Sequence, residues 1–368
     1  MKKRIFTILL IEVMLLTGLL TGCTIKTATV PSTTECTEQT TCVTSTTEST
    51  EISPLVSNEY YVSPKNTGAL QVYNGTLSDM SGNPIQLKGI STHGIARVEN
   101  YINQDAFLEM RNDWGVNVIR LAMYIQSMDG YTKSDMYKQK NTEIMVKGVD
   151  LATACDMYVI IDWHVLDEKT PLKYVEEAKE FFDQMSSLYK NNINVLYEIC
   201  NEPNDTSWDD IKEYADQIIP VIRANDPDSI IICGTPEYSQ RVDEALESPL
   251  DYDNVMYTLH FYSAAHKDEL RNRMVDCVKA GLPIFVTEYG ITNSDGKLPR
   301  DVDEANKWMD VMDENNISCC MWCLSNSGDA CNLLKTSCTK FSGFTDEDFT
   351  ETGSWFMDMM SNYKTGLR

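Results

Sequence analysis

Short apolar runs alternate with longer amphipathic stretches over most of the chain after residue 84. Each run has four to six residues, a length typical of buried strands, and the stretches between them carry apolar residues at helical spacing. The pattern predicts eight strands, at residues 85–90, 116–121, 158–161, 194–199, 230–233, 255–259, 284–287 and 317–322. It predicts helices at 105–113, 143–156, 174–190, 208–224, 239–247, 267–280, 302–315 and 355–361.

Strands that alternate with helices predict parallel pairing through helical crossovers. Eight such units in roughly 300 residues fit an α/β fold of the (β/α)8 TIM barrel type. The rival is an open doubly wound sheet, which usually has a glycine-rich phosphate loop after its first strand, and this sequence has none there. Asn74-Gly75 lies between residues 70–72 and 76–79, which predicts a hairpin that closes the bottom of the barrel.

The first 59 residues differ from the rest in composition. A basic start, an apolar run to Leu20 and the sequence Leu20-Thr21-Gly22-Cys23 predict a lipoprotein-type signal over 1–23, with Cys23 as the lipidated residue. An ordinary secretory signal is the alternative. Residues 24–59 are rich in Ser and Thr and predict a flexible linker, so the catalytic barrel would span 60–368. Either signal predicts an extracellular protein, secreted or held at a bacterial cell surface.

Charge limits the possible partners. The chain has 31 basic and 55 acidic residues, a net charge of −24. Nucleic acids need clustered basic side chains, so no nucleic-acid partner is expected, and a membrane would be contacted only through the lipid anchor. A neutral substrate fits this charge. We expect a monomer without a cofactor or a metal.

Polar side chains follow the ends of the predicted strands, and in a barrel those ends line one mouth. They comprise two carboxylates, one arginine, three histidines, an amide and large aromatic residues: His93, Arg120, Tyr124, His164, Asn201, Glu202, His260, Tyr262, Glu288 and Trp322. Taken singly, most of these residues have ordinary structural explanations. Together they suit glycoside hydrolysis, which needs an acid and a second carboxylate on opposite sides of a sugar.

Six segments of this sequence resemble glycoside hydrolase family five, the cellulase clan, and especially its bacterial endo-β-1,4-glucanases. They are IQLKGISTHG at 85–94, NVIRL at 117–121, IIDWH at 160–164, YEICNEP at 197–203, VMYTLHFY at 255–262 and PIFVTEYG at 283–290. Met321-Trp322 and Leu324-Ser325 extend the match. Asn-Glu-Pro alone is a weak motif, whereas all the segments in this order are a strong one.

The resemblance implies a role for each matching residue. Glu202 would be the general acid and then the general base, and Glu288 the nucleophile of a retaining mechanism. Asn201 would bind the sugar 2-hydroxyl, and Arg120 and Tyr262 would lie beside Glu288. The other implied substrate-binding residues are His164, His260, Trp322 and, on the non-reducing side, His93 and Tyr124.

Three positions depart from the pattern of the family. Arg97 stands where near relatives usually carry a Trp, so the resemblance implies no aromatic sugar-stacking platform at this position on the non-reducing side. Tyr238 replaces a Trp after the fifth strand, and it would be a smaller aromatic platform. Ser327 stands where relatives often have a Lys that binds a sugar hydroxyl. These departures leave the preferred glycan open, whether cellulose-type or mixed-linkage glucan, mannan, glucomannan or xyloglucan.

Two functions from other classes remain as alternatives. A metal-dependent barrel hydrolase would use His93, His164 and His260, although the chain lacks the His-x-His pair common in such sites. A catalytically silent polysaccharide-binding lipoprotein would not need Glu202 and Glu288. Among the 12 cysteines, Cys331 and Cys338 are candidates for a disulfide, which export would permit.

Overall fold

The eight predicted strands form one closed parallel barrel in the computed structural model, which describes residues 61–127 and 129–364. The described residues contain ten strands, of which the first two form a separate hairpin. They are β1 (Leu70–Tyr73), β2 (Thr76–Asp79), β3 (Lys88–Thr92), β4 (Val118–Tyr124), β5 (Tyr158–His164), β6 (Val195–Cys200), β7 (Ile230–Cys233), β8 (Val255–Tyr262), β9 (Ile284–Gly290) and β10 (Ser318–Leu324). Strands β3 to β10 pair in chain order, and β10 closes on β3. The predicted TIM barrel is confirmed. The predicted signal and linker lie outside the described residues.

Helices separate most of the barrel strands. They are α1 (Pro64–Thr67), α2 (Gln104–Glu109), α3 (Asp135–Ala154), α4 (Val175–Tyr189), α5 (Trp208–Asn225), α6 (Pro236–Ser239), α7 (Val242–Glu247), α8 (Asp268–Lys279), α9 (Val302–Glu314) and α10 (Glu351–Lys364). A π-helical turn, Met110–Trp114, follows α2. None of the helices in the described part of the chain combines the length and apolar character needed to cross a membrane.

Helix α3 begins eight residues before the predicted start. Ser134 caps it, since its side chain accepts a hydrogen bond from the backbone N–H of Tyr137. The first two turns contain Met136 and Tyr137 but no apolar stripe at helical spacing, so the hydrophobic pattern could not reveal them. A capping side chain can therefore start a helix ahead of its apolar stripe.

The inner face of the barrel changes from apolar to charged along β4, β5 and β6. Its lower layer is one buried cluster that includes Val118, Tyr158, Ile160, Leu196, Met256 and Phe285. Side chains on one face of a strand recur every two residues, so Arg120 follows Val118 on the inner face. Asp162 follows Ile160 and Glu198 follows Leu196 in the same way. The period of two thus brings charged residues into the upper half of the barrel.

The hairpin of β1 and β2 closes the lower end of this barrel. Leu70 and Leu77 belong to the same buried cluster as the lower layer. The Asn254 side chain, in the loop before β8, accepts a hydrogen bond from the backbone N–H of Val72 at 2.9 Å. This placement confirms the predicted closure of the barrel bottom.

Most strands that carry site residues extend further toward the mouth than predicted. Tyr124 pairs with His164, and His260 pairs with Glu288. The register shifts between Thr258 and His260, between Glu198 and Cys200, and between Trp322 and Leu324. Such irregularities re-aim side chains near functional sites. Several polar residues that were expected just beyond the strands therefore lie within the last residues of those strands.

Gly89 offers a test of the barrel packing. A Cβ atom there would lie 1.8 Å from the carbonyl oxygen of Val118, on the neighbouring strand. Because backbone cannot move aside, Gly89→Ala is expected to lower the free energy of unfolding by about 1–3 kcal/mol or more. Urea denaturation followed by circular dichroism measures this change.

Gly148→Ala is the matched control. There the added Cβ would meet the end of the flexible Leu121 side chain at 2.6 Å, and alanine gains up to about 1 kcal/mol of helix propensity over glycine. We expect a much smaller loss at Gly148. Equal stability of Gly89→Ala and the unchanged protein would contradict the packing described for β3 and β4.

Candidate active site

Two carboxyl groups lie close together at the mouth of the barrel. Glu202 follows the end of β6, and Glu288 lies near the end of β9. One oxygen of Glu202, one oxygen of Glu288 and one ring nitrogen of His260 lie within 4.8 Å of one another. The side chain of Glu202 is 13% exposed and that of Glu288 is 6% exposed. The pair is therefore accessible only from the mouth.

Glu288 is held by two donors on different strands. The hydroxyl of Tyr262 donates to Oε1 at 2.6 Å, and Nη1 of Arg120 donates to Oε2 at 3.0 Å. Burial and the Glu288 carboxylate raise the pKa of Tyr262 well above its ordinary value, so the phenol stays protonated and can donate. Both oxygens of Glu288 thus accept hydrogen bonds, which fixes the orientation of the carboxyl group.

Glu202 lies in a different electrostatic environment. Burial raises its pKa to about 8; the Arg120 guanidinium opposes this shift, and the Glu198 and Asp162 carboxyls add to it. Oε1 of Glu202 lies 2.8 Å from Nδ1 of His260. Burial lowers the pKa of His260 to about 4, so the ring is neutral near pH 7. Glu202 can therefore carry a proton at neutral pH, as a general acid must.

Arg120 is the junction of the site. Burial alone would lower its pKa, but Asp162, Glu198 and Glu288 raise it well above the ordinary value. Besides Glu288, the guanidinium donates to both oxygens of Glu198, at 2.7 and 3.1 Å, and to Oδ1 of Asn201, at 2.6 Å. It also forms an ion pair of 2.9 Å with Asp162. One fully buried side chain thus orients groups from β5, β6 and β9.

The two polar residues beside this junction have fixed orientations. Because Oδ1 of Asn201 accepts from Arg120, its Nδ2 is left to donate to the backbone oxygen of Val165, at 3.0 Å. His164 has Nδ1 at 2.7 Å from Oδ2 of Asp162. Burial lowers the pKa of His164 well below its ordinary value, so a neutral ring donates through Nδ1–H.

Aromatic rings line one side of the mouth. The rings of Trp322 and His164 are stacked, with centroids 5.3 Å apart and planes at 10°. His93 lies 5.4 Å from Trp322 and 5.7 Å from Tyr124, and Tyr124 lies 4.6 Å from His164. These four predicted residues therefore form one continuous wall.

A cavity of about 350 Å³ opens beside Glu202. Its lining includes Glu202, Tyr238, His260 and Tyr262. Tyr238 is 48% exposed and lies in a turn where residues 237–239 all have positive φ. The backbone N–H of Tyr238 donates to the backbone oxygen of Pro203. The side-chain hydroxyl of Ser239 donates to the backbone oxygen of Asn201. Backbone strain of this kind often occurs at functional sites.

Arg97 and Ser327, two of the three residues that depart from the family pattern, contact other side chains near the mouth. The Arg97 guanidinium lies 4.8 Å from the centre of the Tyr124 ring and 3.0 Å from an oxygen of Asp129. Ser327 contacts the side-chain amide of Asn332 at 2.9 Å. Arg97 thus adds a cation beside the aromatic wall, whereas the Ser327 side chain bonds within its own loop after β10.

The three histidines of the metal-site alternative do not form a ligand group in the described residues. The group with metal-like spacing there is Glu202, His260 and Glu288. Within it, Nδ1 of His260 contacts Glu202 and Arg120 contacts Glu288. A guanidinium 3.0 Å from a carboxylate oxygen would repel a metal cation at that oxygen.

The candidate disulfide is not formed. Cys331 and Cys338 are free thiols, as are the other cysteines in the part of the chain that the structure describes. Cys331 lies in one buried cluster with Cys323, Tyr262 and Trp322.

Sequence reasoning assigned no role to three residues of this site: Asp162, Glu198 and Thr287. A signal was present, since a buried parallel strand rarely has a charged residue in its interior. Glu198 interrupts the apolar run of β6, and Asp162 interrupts that of β5. The prediction considered the residues that follow the strands instead.

A closed parallel barrel with two facing carboxyls and an aromatic wall defines a barrel-type glycoside hydrolase. Residues 78–328 match the model of the cellulase family, glycosyl hydrolase family 5. The chain is 43% identical over 303 residues to endoglucanase A of Butyrivibrio fibrisolvens, covering 82% of this chain and 70% of that protein. It is also 43% identical over 304 residues to an endoglucanase of Clostridium saccharobutylicum, covering 81% and 67%.

Solved structures agree with these relatives. The catalytic domain of Thermobifida fusca endoglucanase Cel5A superposes with a TM-score of 0.78 at 35% identity, covering 82% of this chain and 100% of that domain. A variant of the same domain, in complex with cellotetraose, gives 0.78 at 34% identity with the same coverage. The chain therefore belongs to glycosyl hydrolase family 5 and is a glycoside hydrolase of the endoglucanase type.

Proposed function

We propose that this chain is an endo-β-1,4-glucanase that cleaves internal bonds of cellulose-type or mixed-linkage glucans with retention of configuration. The observation that carries the proposal is the separation of the two carboxyls, within 4.8 Å between one oxygen of each. Retaining enzymes place their carboxyls about 5–5.5 Å apart, whereas inverting enzymes need about 6.5–9.5 Å to admit water. The cellotetraose complex of the related domain supports a β-1,4-glucan as the substrate.

In the first step, an oxygen of Glu288 bonds to the anomeric carbon. The proton of Glu202 passes to the glycosidic oxygen, and the leaving half of the glucan departs as an alcohol. In the second step, a water oxygen bonds to the same carbon while Glu202 takes the water proton, and the ester bond to Glu288 breaks. The raised pKa of Glu202, about 8, suits its role as the acid.

The neighbouring side chains would bind the sugar at the cleavage point. Asn201 would bind the 2-hydroxyl, a contact that can strengthen in the transition state. Arg120 and Tyr262 would orient Glu288. The remaining proposed binding residues are His93, Tyr124, His164, Tyr238, His260 and Trp322. The aromatic wall supports this role, because aromatic rings pack against the apolar face of a pyranose.

The two carboxyls can be tested by amide replacement. Glu202→Gln is expected to lower kcat by roughly 10²–10⁴-fold, the usual value of a general acid. Glu288→Gln should remove nearly all turnover, because an amide cannot form the glycosyl ester. The measurement is the release of reducing sugar from a soluble β-glucan, with the fold checked by circular dichroism. Near-normal turnover by Glu288→Gln would overturn the proposed function.

The same assay distinguishes the remaining alternatives. Purified cellulose-type glucan, mixed-linkage glucan, xyloglucan, glucomannan, mannan and xylan are compared at equal mass, with product lengths recorded. The proposal expects the β-1,4-glucans to be cleaved fastest and at internal bonds. Turnover should survive treatment with EDTA; a loss restored by added metal would favour a metal-dependent hydrolase instead.

We also propose that the chain is exported and anchored through Cys23, after removal of a signal ending at residue 22. The proposal rests on the sequence Leu20-Thr21-Gly22-Cys23 behind an apolar run. In a bacterial host, the full chain is expected to incorporate labelled palmitate and to sediment with membranes. Cys23→Ser should lose both properties. Equal labelling of the two proteins would contradict an anchor at Cys23.

A further inference from the structure

Glu198 is a buried carboxyl that neither step of the proposed mechanism uses. It lies in the middle of β6, with no exposed surface. Its Oε2 accepts from Nε of Arg120 at 2.7 Å, and its Oε1 accepts from Nη2 at 3.1 Å. Oε1 also accepts from the hydroxyl of Thr287 at 2.7 Å. An ionised side chain in such a place costs free energy unless it is paired and fully hydrogen-bonded.

Two hydrogen-bonded paths lead from Glu198 to the two proposed catalytic carboxyls. The first runs through Arg120, whose Nη1 donates to Glu288 at 3.0 Å. The second runs through Thr287, whose Oγ1 lies 2.9 Å from Nε2 of His260. Nδ1 of His260 then contacts Oε1 of Glu202 at 2.8 Å. Each oxygen of Glu198 therefore takes part in holding the site together.

We propose that Glu198 is a positioning residue that keeps Glu202 in its acid form and Glu288 in its attacking orientation. This inference rests on the roles proposed above for those two residues. Glu198 contacts neither the substrate nor the reacting atoms in the mechanism. It acts through Arg120 on one side and through Thr287 and His260 on the other.

The direction of the hydrogen bonds explains how Glu198 acts on Glu202. An ionised Glu198 only accepts, so the hydroxyl of Thr287 points toward it. Oγ1 of Thr287 is then free to accept from Nε2–H of His260. In that tautomer Nδ1 has a lone pair and accepts from the protonated carboxyl of Glu202. The chain of bonds thus matches an acid at Glu202.

An amide at position 198 weakens the preference for this direction. Its oxygen is a weaker acceptor than a carboxylate, and its NH₂ group faces an N–H of Arg120 in either orientation, because Arg120 donates to both oxygens of Glu198. Where the NH₂ group faces Thr287, the hydroxyl would turn to donate to Nε2 of His260, and Nδ1 would donate to an ionised Glu202. The amide would therefore shift Glu202 toward its base form before the reaction starts.

The charges around Glu202 act in the same sense. Besides burial, the causes that set its pKa near 8 are Arg120 on β4, which lowers it, and Glu198 on β6 and Asp162 on β5, which raise it. The other titratable groups that face the site include Tyr124 on β4 and His164 on β5. On β8 and β9 they include His260, Tyr262 and Glu288. Replacing Glu198 by an amide removes one of the negative charges that oppose Arg120.

The test is the pH dependence of kcat/KM for the full chain carrying Glu198→Gln, on a soluble β-glucan. The unchanged protein should lose activity as the pH rises through about 8, where Glu202 ionises. In Glu198→Gln this loss should begin at a lower pH, and kcat should fall by about 10–100-fold, the usual effect of an outer partner, with KM nearly unchanged. An unshifted profile with normal kcat would overturn the inference.

Two further variants separate positioning from folding. Thr287→Val keeps the charge of Glu198 but breaks the path to His260, so kcat should fall while the profile moves less. Glu304→Gln is the matched control, because Glu304 is also a buried carboxyl paired with an arginine, Arg271, and it lies on α9 away from the barrel mouth. It should lower stability without moving the profile.

These variants also cover the case in which Glu198→Gln does not fold. A normal kcat in Thr287→Val would overturn the proposed path through His260. If the pH profile of kcat/KM shifts as much in Glu304→Gln as in Glu198→Gln, the shift reflects lost stability and the inference is overturned. Failure of the proposed function would instead appear as near-normal turnover in Glu288→Gln, whichever residue stands at position 198.

Discussion

The Arg120 guanidinium is fully buried and faces the carboxyls of Asp162, Glu198 and Glu288, and the arrangement of the site depends on it. Removing one partner of a buried ion pair costs about 3–5 kcal/mol, because the remaining charge is left without compensation. Arg120 can therefore hold three carboxyls from three strands in fixed positions. The excess of negative charge has a consequence for function. It disfavours a further anion nearby, so Glu202 can keep its proton.

The barrel makes this concentration of charge possible. The inner face of the barrel begins with an apolar layer, which packs against the hairpin of β1 and β2, and along β4, β5 and β6 it continues into charged residues near the mouth. The lower layer supplies the buried apolar surface that stabilises the fold. The upper layer can then carry charged groups, since it is supported from below and bonded across the strands. Register shifts near the ends of β6, β8 and β10 place these groups where the strand geometry changes.

The architecture was predicted well because the strand and helix patterns of apolar residues were both clear in the sequence. Apolar runs of strand length and apolar stripes of helical spacing gave the eight units. The largest error in a helix start was at α3, which begins at the Ser134 cap, two turns before its apolar stripe. The ends of the strands were less legible. A parallel strand can continue into polar residues when its neighbours do the same, as Tyr124 and His164 do.

The site was predicted less completely than the fold. The residues at the mouth stood out because they follow the strands, and the structure brings most of them together around Glu202 and Glu288. The hydrogen-bond paths through Glu198 and Thr287 were not predictable, because they depend on which atoms of distant strands come within 3 Å of one another. Nor could the sequence reveal that Arg97 rests on the ring of Tyr124 and pairs with Asp129.

The central claim is that Glu288 forms a bond to the sugar while Glu202 moves the proton. A 2-deoxy-2-fluoro cellobioside with a good leaving group tests it most directly, because the fluorine slows the second step and lets the glycosyl ester accumulate. Digestion and mass spectrometry then locate the label. The account predicts one added fluorinated cellobiosyl unit on the peptide that contains Glu288. A label on another residue, or turnover without any covalent adduct, would contradict it.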